Sequence, residues 1–404
     1  MNKLRIGLLL AALVPVLEGW AGTPKAIMFM LDGMRADAIE AVDMPNVTKL
    51  RFGTWQPGYK GCWTVTGQSV PDAAPNSAPN HVSLATGVTA SRHRVTANGQ
   101  TASGDYASCP TWLKRVADTG KTATFAYTWS EDGSLGPTPN VTFLGGTDAG
   151  NGAALATALA SANCPDAIMY FIDGPDHGGH GSGFYPLSAG YRSELVTADT
   201  LVGACLDAIA SRATFADEDW MIVICADHGG YSTAHGQTTG RQAHTVPMVV
   251  ASPTVQNGRL PGSPMVCDLP VTLLNHFGLN PTGLNGSVLG TTVAADTSRA
   301  LADGLEVYLP FDTTATTNVA PNASITPTVS GSPAITANGF HRSFLKIPSG
   351  AYINLPGTEL LASENGDKSF AICCWVRMGA QSGDPCIWAN KNWSSGKNKG
   401  ILLC

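Results

Sequence analysis

Three stretches of this chain are almost entirely apolar and close on the same punctuation. KAIMFMLDG (25–33), DAIMYFIDG (166–174) and DWMIVICADHGG (219–230) each run from apolar residues into aspartate and glycine. A strand with one wet face alternates polar and apolar residues. A run without alternation belongs to a strand covered on both faces, as in a parallel sheet flanked by helices. Helix-like segments separate the runs: PTWLKRVADTG (110–120), GNGAALATALASANC (150–164) and RSELVTADTLVGACLDAIASR (192–212). The pattern predicts an α/β domain with a mostly parallel central sheet and helices on both faces. Such sheets bind ligands outside the carboxyl ends of their strands. The acids and histidines that end the three runs are therefore expected along one edge.

That edge would gather a distinctive set of side chains. Asp32 ends the first run. FIDGPDHGGHGSG (171–183) carries Asp176 and His180 four apart in what reads as a Gly-rich loop, beside Asp173 and His177. ADHGG supplies Asp227 and His228, and His235 follows in TAHGQ. Any one pair reads most simply as a solvated loop. Together they are a mixed nitrogen and oxygen set suited to zinc or a similar divalent ion. NSAPNHVSLATG (76–87) adds Ser77 at an expected helix start, with Asn80 three residues on. A serine there is an ordinary N-cap, or it sets its hydroxyl beside free backbone N–H groups that also suit a phosphate.

The order of MLDGMR, NSAPNHVSLATG, GPDHGGHGSG, ADHGG and AHG resembles the alkaline-phosphatase superfamily, in particular its nucleotide pyrophosphatase/phosphodiesterase branch. The resemblance runs over residues 23–290 and includes TVPMVVASP and CDLPVTLLNHFGL near its end. It implies a serine nucleophile, Ser77, and two divalent cations, zinc first and manganese second. Asp32, Asp227 and His228 would hold one ion, which also meets the Ser77 oxygen. Asp176, His180 and His235 would hold the other. His244, in AHTVP, is the alternative to His235 because it resembles a histidine of the cofactor-independent phosphoglycerate mutases. Asn80 would donate to a phosphoryl oxygen. The implied reaction is hydrolysis of a small phosphodiester or nucleotide pyrophosphate through a phosphoseryl intermediate; phosphomonoester hydrolysis is the alternative. Sulfatases of the superfamily carry Cys or Ser, then Pro two residues on, then Arg. Ser77-Ala78-Pro79 fits, but Asn80-His81 lacks the arginine, which ranks sulfate esters lower. RFGTWQPGYKGCW (51–63) and TWSEDGSLG (128–136) are expected to shape the cleft. His81, His93, His276 and His341 read as ordinary core or surface histidines.

The remaining features concern compartment and modularity. Residues 1–22 read as a signal peptide: Lys3 and Arg5, an apolar IGLLLAALVPVL, then GWA before the cleavage point. The apolar run is shorter than the ~20 residues a membrane span needs, so the expectation is an exported, secreted or periplasmic protein without a span. Ten cysteines fit such a compartment, where disulfides persist; Cys225, in an apolar strand, reads as a buried thiol. A net charge of -6 argues against a nucleic-acid-binding surface, which is basic and clustered. The metallohydrolase domain is expected over 23–295 and a linker over 296–304. Residues 305–404 turn rich in Thr, Ser, Pro and Asn with short strand signals. LEVYLPFD, SFLKIPSGAYINLPG, KSFAICCWVRM and PCIWANKNWSSGKNKGILLC resemble the first half of a concanavalin-A/laminin-G-like lectin domain. This resemblance implies a partial all-β sandwich with a possible glycan ligand. It also gives a rival from another class, a glycan-binding or adhesion protein with an inactive hydrolase domain.

Overall fold

The computed structural model describes residues 22–236 and 241–291, and shorter stretches between 307 and 403. The expected signal peptide (apart from residue 22) and the linker lie outside the described residues. The chain divides into two compact units, Met1–Asp296 and Thr297–Cys404.

The first unit is built on one sheet of eight strands: β1 (Thr23–Leu31), β2 (Lys60–Gln68), β3 (Ala123–Tyr127), β4 (Val141–Gly145), β5 (Ala167–Ile172), β6 (Glu218–Cys225), β7 (Thr245–Ser252) and β8 (Gly258–Arg259). Their spatial order is β4-β3-β5-β1-β6-β7-β2-β8. The pairs from β4 through β6 are parallel, and β7 runs against both β6 and β2. The three apolar runs of the sequence are thus β5, β1 and β6, side by side at the centre. β5 and β6 are buried along their whole length and β1 from Ala26 onward, which is why none of them alternates. In register, Leu31 faces Ile172 and Met30 faces Cys225. The three strands therefore end at one level, and the residues after them open onto the same edge.

Three sequence expectations change. The supposed Gly-rich loop after β5 is a helix, Gly174–Ser182, with proline in its first turn, a position where the missing N–H costs nothing. Its glycines lower helix propensity but let neighbours approach. A Cβ at Gly179 would overlap the buried ring of Phe184. The stretch 51–63 is only partly a loop: from Lys60 it enters β2, beyond β7 and away from the central strands. Finally, the cysteines among the described residues are free thiols, and Cys62, Cys109, Cys164, Cys205, Cys225 and Cys267 are buried. Burial in a large core, rather than cross-linking, accounts for these six; Cys374 is exposed.

In the second unit the described strands form antiparallel pairs: Thr328–Ser330 with Tyr352–Asn354, Ala334–Gly339 with Arg342–Lys346, and Trp388–Ala389 with Leu402–Leu403. Most of the segment read as a sandwich lies outside the described residues.

Candidate metal centre

Each candidate side chain arrives at the edge by a separate route. Asp32 follows β1, and its backbone N–H continues the ladder to Ile172 O at 2.9 Å. Asp227 and His228 follow β6. Asp176 and His180 sit one turn apart on the Gly174–Ser182 helix, so both project from one face. Ser77 is the first residue of the Ser77–Thr86 helix, which Gly87 closes in a left-handed C-cap.

The geometry gathers them around His228. Its Nε2 lies 3.2 Å from Ser77 Oγ, 3.2 Å from Asp227 Oδ2 and 3.5 Å from Asp32 Oδ1. Asp32, Asp227 and His228 offer ligand atoms within reach of one cation, and Asp176, His228 and His235 form a second such group. His235 stacks on His228 with ring centroids 3.8 Å apart, and its Nε2 is 3.7 Å from Asp176 Oδ1. His180 Nε2 stands 3.3 Å from Asp176 Oδ2, on the more open side. His244 is elsewhere: its Nδ1 meets Ser69 Oγ at 3.2 Å.

Two observations show that these residues fit divalent cations. First, Asp32 Oδ1, Asp227 Oδ2 and Asp176 Oδ1 are buried and have no hydrogen-bond partner. Buried acceptors are normally satisfied, and each of these faces an imidazole Nε2. Second, three histidines are held alike. The Nδ1 atoms of His228, His180 and His235 lie 2.8, 2.8 and 3.0 Å from the carbonyl oxygens of Gly229, Thr233 and Pro75. A carbonyl only accepts, so Nδ1 carries the proton and Nε2 presents its lone pair to the cluster, the device that orients metal-binding imidazoles.

Titration in the metal-free protein follows from crowding. Burial, then the Asp227 and Asp176 charges, pushes the Asp32 carboxyl well up. Asp227 is equally buried, but His228, His81 and the Gly33 N–H outweigh burial and hold it low. The two carboxylates share neighbours and titrate as a pair. Burial raises Asp176. Burial and the neighbouring His228 lower His235 to about 3, so its imidazole is neutral at physiological pH.

Asn80 is placed differently from the expectation. It is fully buried; its Oδ1 accepts from Val70 N and its Nδ2 donates to Asn76 O, both at 2.8 Å. It locks the entry to the helix. The helix amides are also less open than expected, because Ala78 N donates to Asn98 Oδ1 at 3.0 Å and Pro79 has no N–H. Two residues escaped the sequence reading. Asn98 touches the residue next to Ser77 through that bond. His81 lies between Asp32 and Asp227, with Asp132 behind it. Asn98 sits in ANGQ, a turn signal with no sequence neighbour in the site. His81 sits on a helix whose residues are all buried, where a lone histidine reads as core.

The fold and this edge define an alkaline-phosphatase-like α/β protein. The model of the type I phosphodiesterase / nucleotide pyrophosphatase family matches residues 26–130, the segment that carries Asp32, Ser77, His81 and Asn98. Murine ectonucleotide pyrophosphatase / phosphodiesterase 5, solved also as an inactive variant in complex with AMP, aligns at 14% identity with a TM-score of 0.51, over 65% of this chain and 97% of that one. The phosphonate monoester hydrolase of Agrobacterium radiobacter aligns at 15% identity with a TM-score of 0.53, over 67% of this chain and 78% of that one. A search of curated protein sequences finds no match.

Proposed function

We propose that the chain is an exported, two-metal hydrolase of phosphodiester or nucleotide-pyrophosphate bonds with Ser77 as nucleophile. The observation that carries this reading is the Ser77 hydroxyl at a helix start, 3.2 Å from His228 Nε2, inside a set of orphaned carboxylate oxygens. Asp32, Asp227 and His228 would hold one cation beside Ser77; Asp176, His180 and His235 would hold the other. Bound divalent cations supply Lewis acidity, favouring the Ser77 alkoxide and neutralising phosphoryl charge. Ser77 Oγ, its proton lost to solvent, attacks phosphorus; the ester bond to the leaving alcohol breaks and a phosphoseryl group forms. Water then cleaves that bond, regenerates the serine and releases the phosphomonoester. Asn98, fixed by its Oδ1 on Ala78 N, offers its NH2 group to a phosphoryl oxygen, the role the sequence had given to Asn80. The family match over 26–130 favours diesters over the monoester alternative, and the absence of the sulfatase arginine after Pro79 disfavours sulfate esters.

The test compares bis-p-nitrophenyl phosphate with p-nitrophenyl phosphate, before and after chelation, in the wild type and Ser77→Ala. Preferential diester turnover, abolished by chelation and reduced by at least about 10³-fold in Ser77→Ala, is expected. Metal-free protein that gains no activity with Zn2+ or Mn2+ would falsify the reading and favour the glycan-binding alternative.

A further inference from the structure

The side chain least explained by the proposed chemistry is His81. It belongs to no candidate cation group, yet it is 1% exposed and reaches the heart of the cluster. Its Nδ1 lies 2.8 Å from Asp132 Oδ1. Its Nε2 lies 3.1 Å from Asp32 Oδ2 and 3.2 Å from Asp227 Oδ2. The ring is clamped edge-on by Phe171 at 4.9 Å and Trp129 at 5.6 Å between centroids. Asp132 is itself buried on the turn Ser130–Ser134 after β3. TWSEDGSLG, expected to line the cleft, thus sends Trp129 and Asp132 to the back of His81.

The division of oxygens on the two acids gives this arrangement a purpose. Asp32 turns Oδ1 to His228 and Oδ2 to His81. Asp227 has Oδ1 held by Gly33 N at 3.1 Å, and its Oδ2 lies between His228 and His81. Each carboxylate has one χ2 torsion to fix, and those torsions are broad when nothing restrains them. A rigid imidazole set against Asp32 Oδ2 and Asp227 Oδ2 restrains them. We infer that His81, braced by Asp132, is a positioning residue that sets the Asp32 and Asp227 carboxylates for the cation beside Ser77. The inference rests on the metal reading above but assigns a role to residues outside both candidate ligand groups.

The experiment is a Zn2+ titration of metal-free full-length protein by competition with a chromophoric chelator. The variants are His81→Ala, His81→Gln, Asp132→Asn and, as a marker of the other ion, Asp176→Ala. The wild type is expected to bind two ions. His81→Ala should weaken one of them by about 10–100-fold and leave the other within about twofold, because residues behind metal ligands act on their own ligand set. Asp132→Asn should weaken the same ion by less, and His81→Gln, which keeps an N–H donor, should recover part of the loss. Asp176→Ala should strike the other ion. If His81→Ala does not fold, His81→Gln and Asp132→Asn decide. Two ions bound by those variants as tightly as by the wild type, or both weakened equally, overturn the inference alone. A wild type that binds no Zn2+ overturns the metal reading and this inference with it.

Discussion

The two ends of the same central strands treat charge in opposite ways. At the start of β1, Lys25 Nζ meets Asp166 Oδ1 at 2.9 Å, just before β5 begins. At the start of β6, Glu218 takes two bonds from Arg212 Nε, at 2.8 and 3.0 Å, and further bonds from Thr214 and Trp220. Asp219 Oδ1 is the exception there. At the other end, Asp32, Asp176, Asp227 and Asp132 crowd together, each with an unpartnered oxygen. A buried charge is normally paired. One end obeys that rule with residues of the chain, and the other leaves several acceptors without a partner among the described residues. Burial alone therefore does not tell a structural acid from a functional one; what marks the second end is that several unpartnered oxygens gather in one place.

The comparison can be broken from either end. The largest effect is expected at the satisfied end: Glu218→Ala leaves the Arg212 guanidinium without its carboxylate, with only the Leu159 and Ser161 carbonyls and Thr214 as partners among the described residues, and should cost about 3–5 kcal/mol in chemical denaturation. A loss below 1 kcal/mol would mean that the pairing is incidental. Next come the histidines. His93 is buried with Ser83 Oγ and Val95 N as partners, and burial, outweighing the Asp72 charge, lowers it from 6.5 to about 4. The unfolded chain binds this proton first, so stability falls as pH drops from 6.5 towards 4, by about 3 kcal/mol for this residue. His93→Gln should flatten the urea-unfolding profile over that window; an unchanged slope would assign the acid sensitivity to other groups. The smallest effect is the most diagnostic in sign. Burial and neighbouring acids raise Asp32, so in metal-free protein it contributes stability at low pH that is lost as pH rises through its folded value. Asp32→Asn should stabilise the chelated protein near neutral pH, by on the order of 1 kcal/mol. Destabilisation there would place Asp32 with the structural acids.

Much of this was legible in the residues because hydrophobic runs and strand ends are local signals. β1, β5 and β6 announced themselves through unbroken apolar stretches, and their terminal acids and histidines followed by topology. What failed was what depends on approach in space. A helix with four glycines cannot be read from propensity when distant neighbours, such as the Phe184 ring at Gly179, decide where glycine is needed. The contact of Asn98 with Ala78 spans twenty residues and that of His81 with Asp132 spans fifty-one, so no motif window holds them. The bonds of Asn80 to Val70 N and Asn76 O likewise depend on how the segment before the helix folds back, which no spacing in the motif reveals.

Phe184 has a consequence for how the metal centre can change. Its ring fills the space left at Gly179, on the helix after β5, and at Gly230, after β6. Its carbonyl accepts from Arg35 Nη1, after β1, at 2.8 Å. The ring also lies against Gly33, so one benzyl group is the keystone of three arches, the segments that follow β1, β5 and β6. The same ring meets His180 and His235 edge-on, at 5.3 and 6.2 Å between centroids, so a change of ring size at this one position would reach these segments and two of the candidate ligands together.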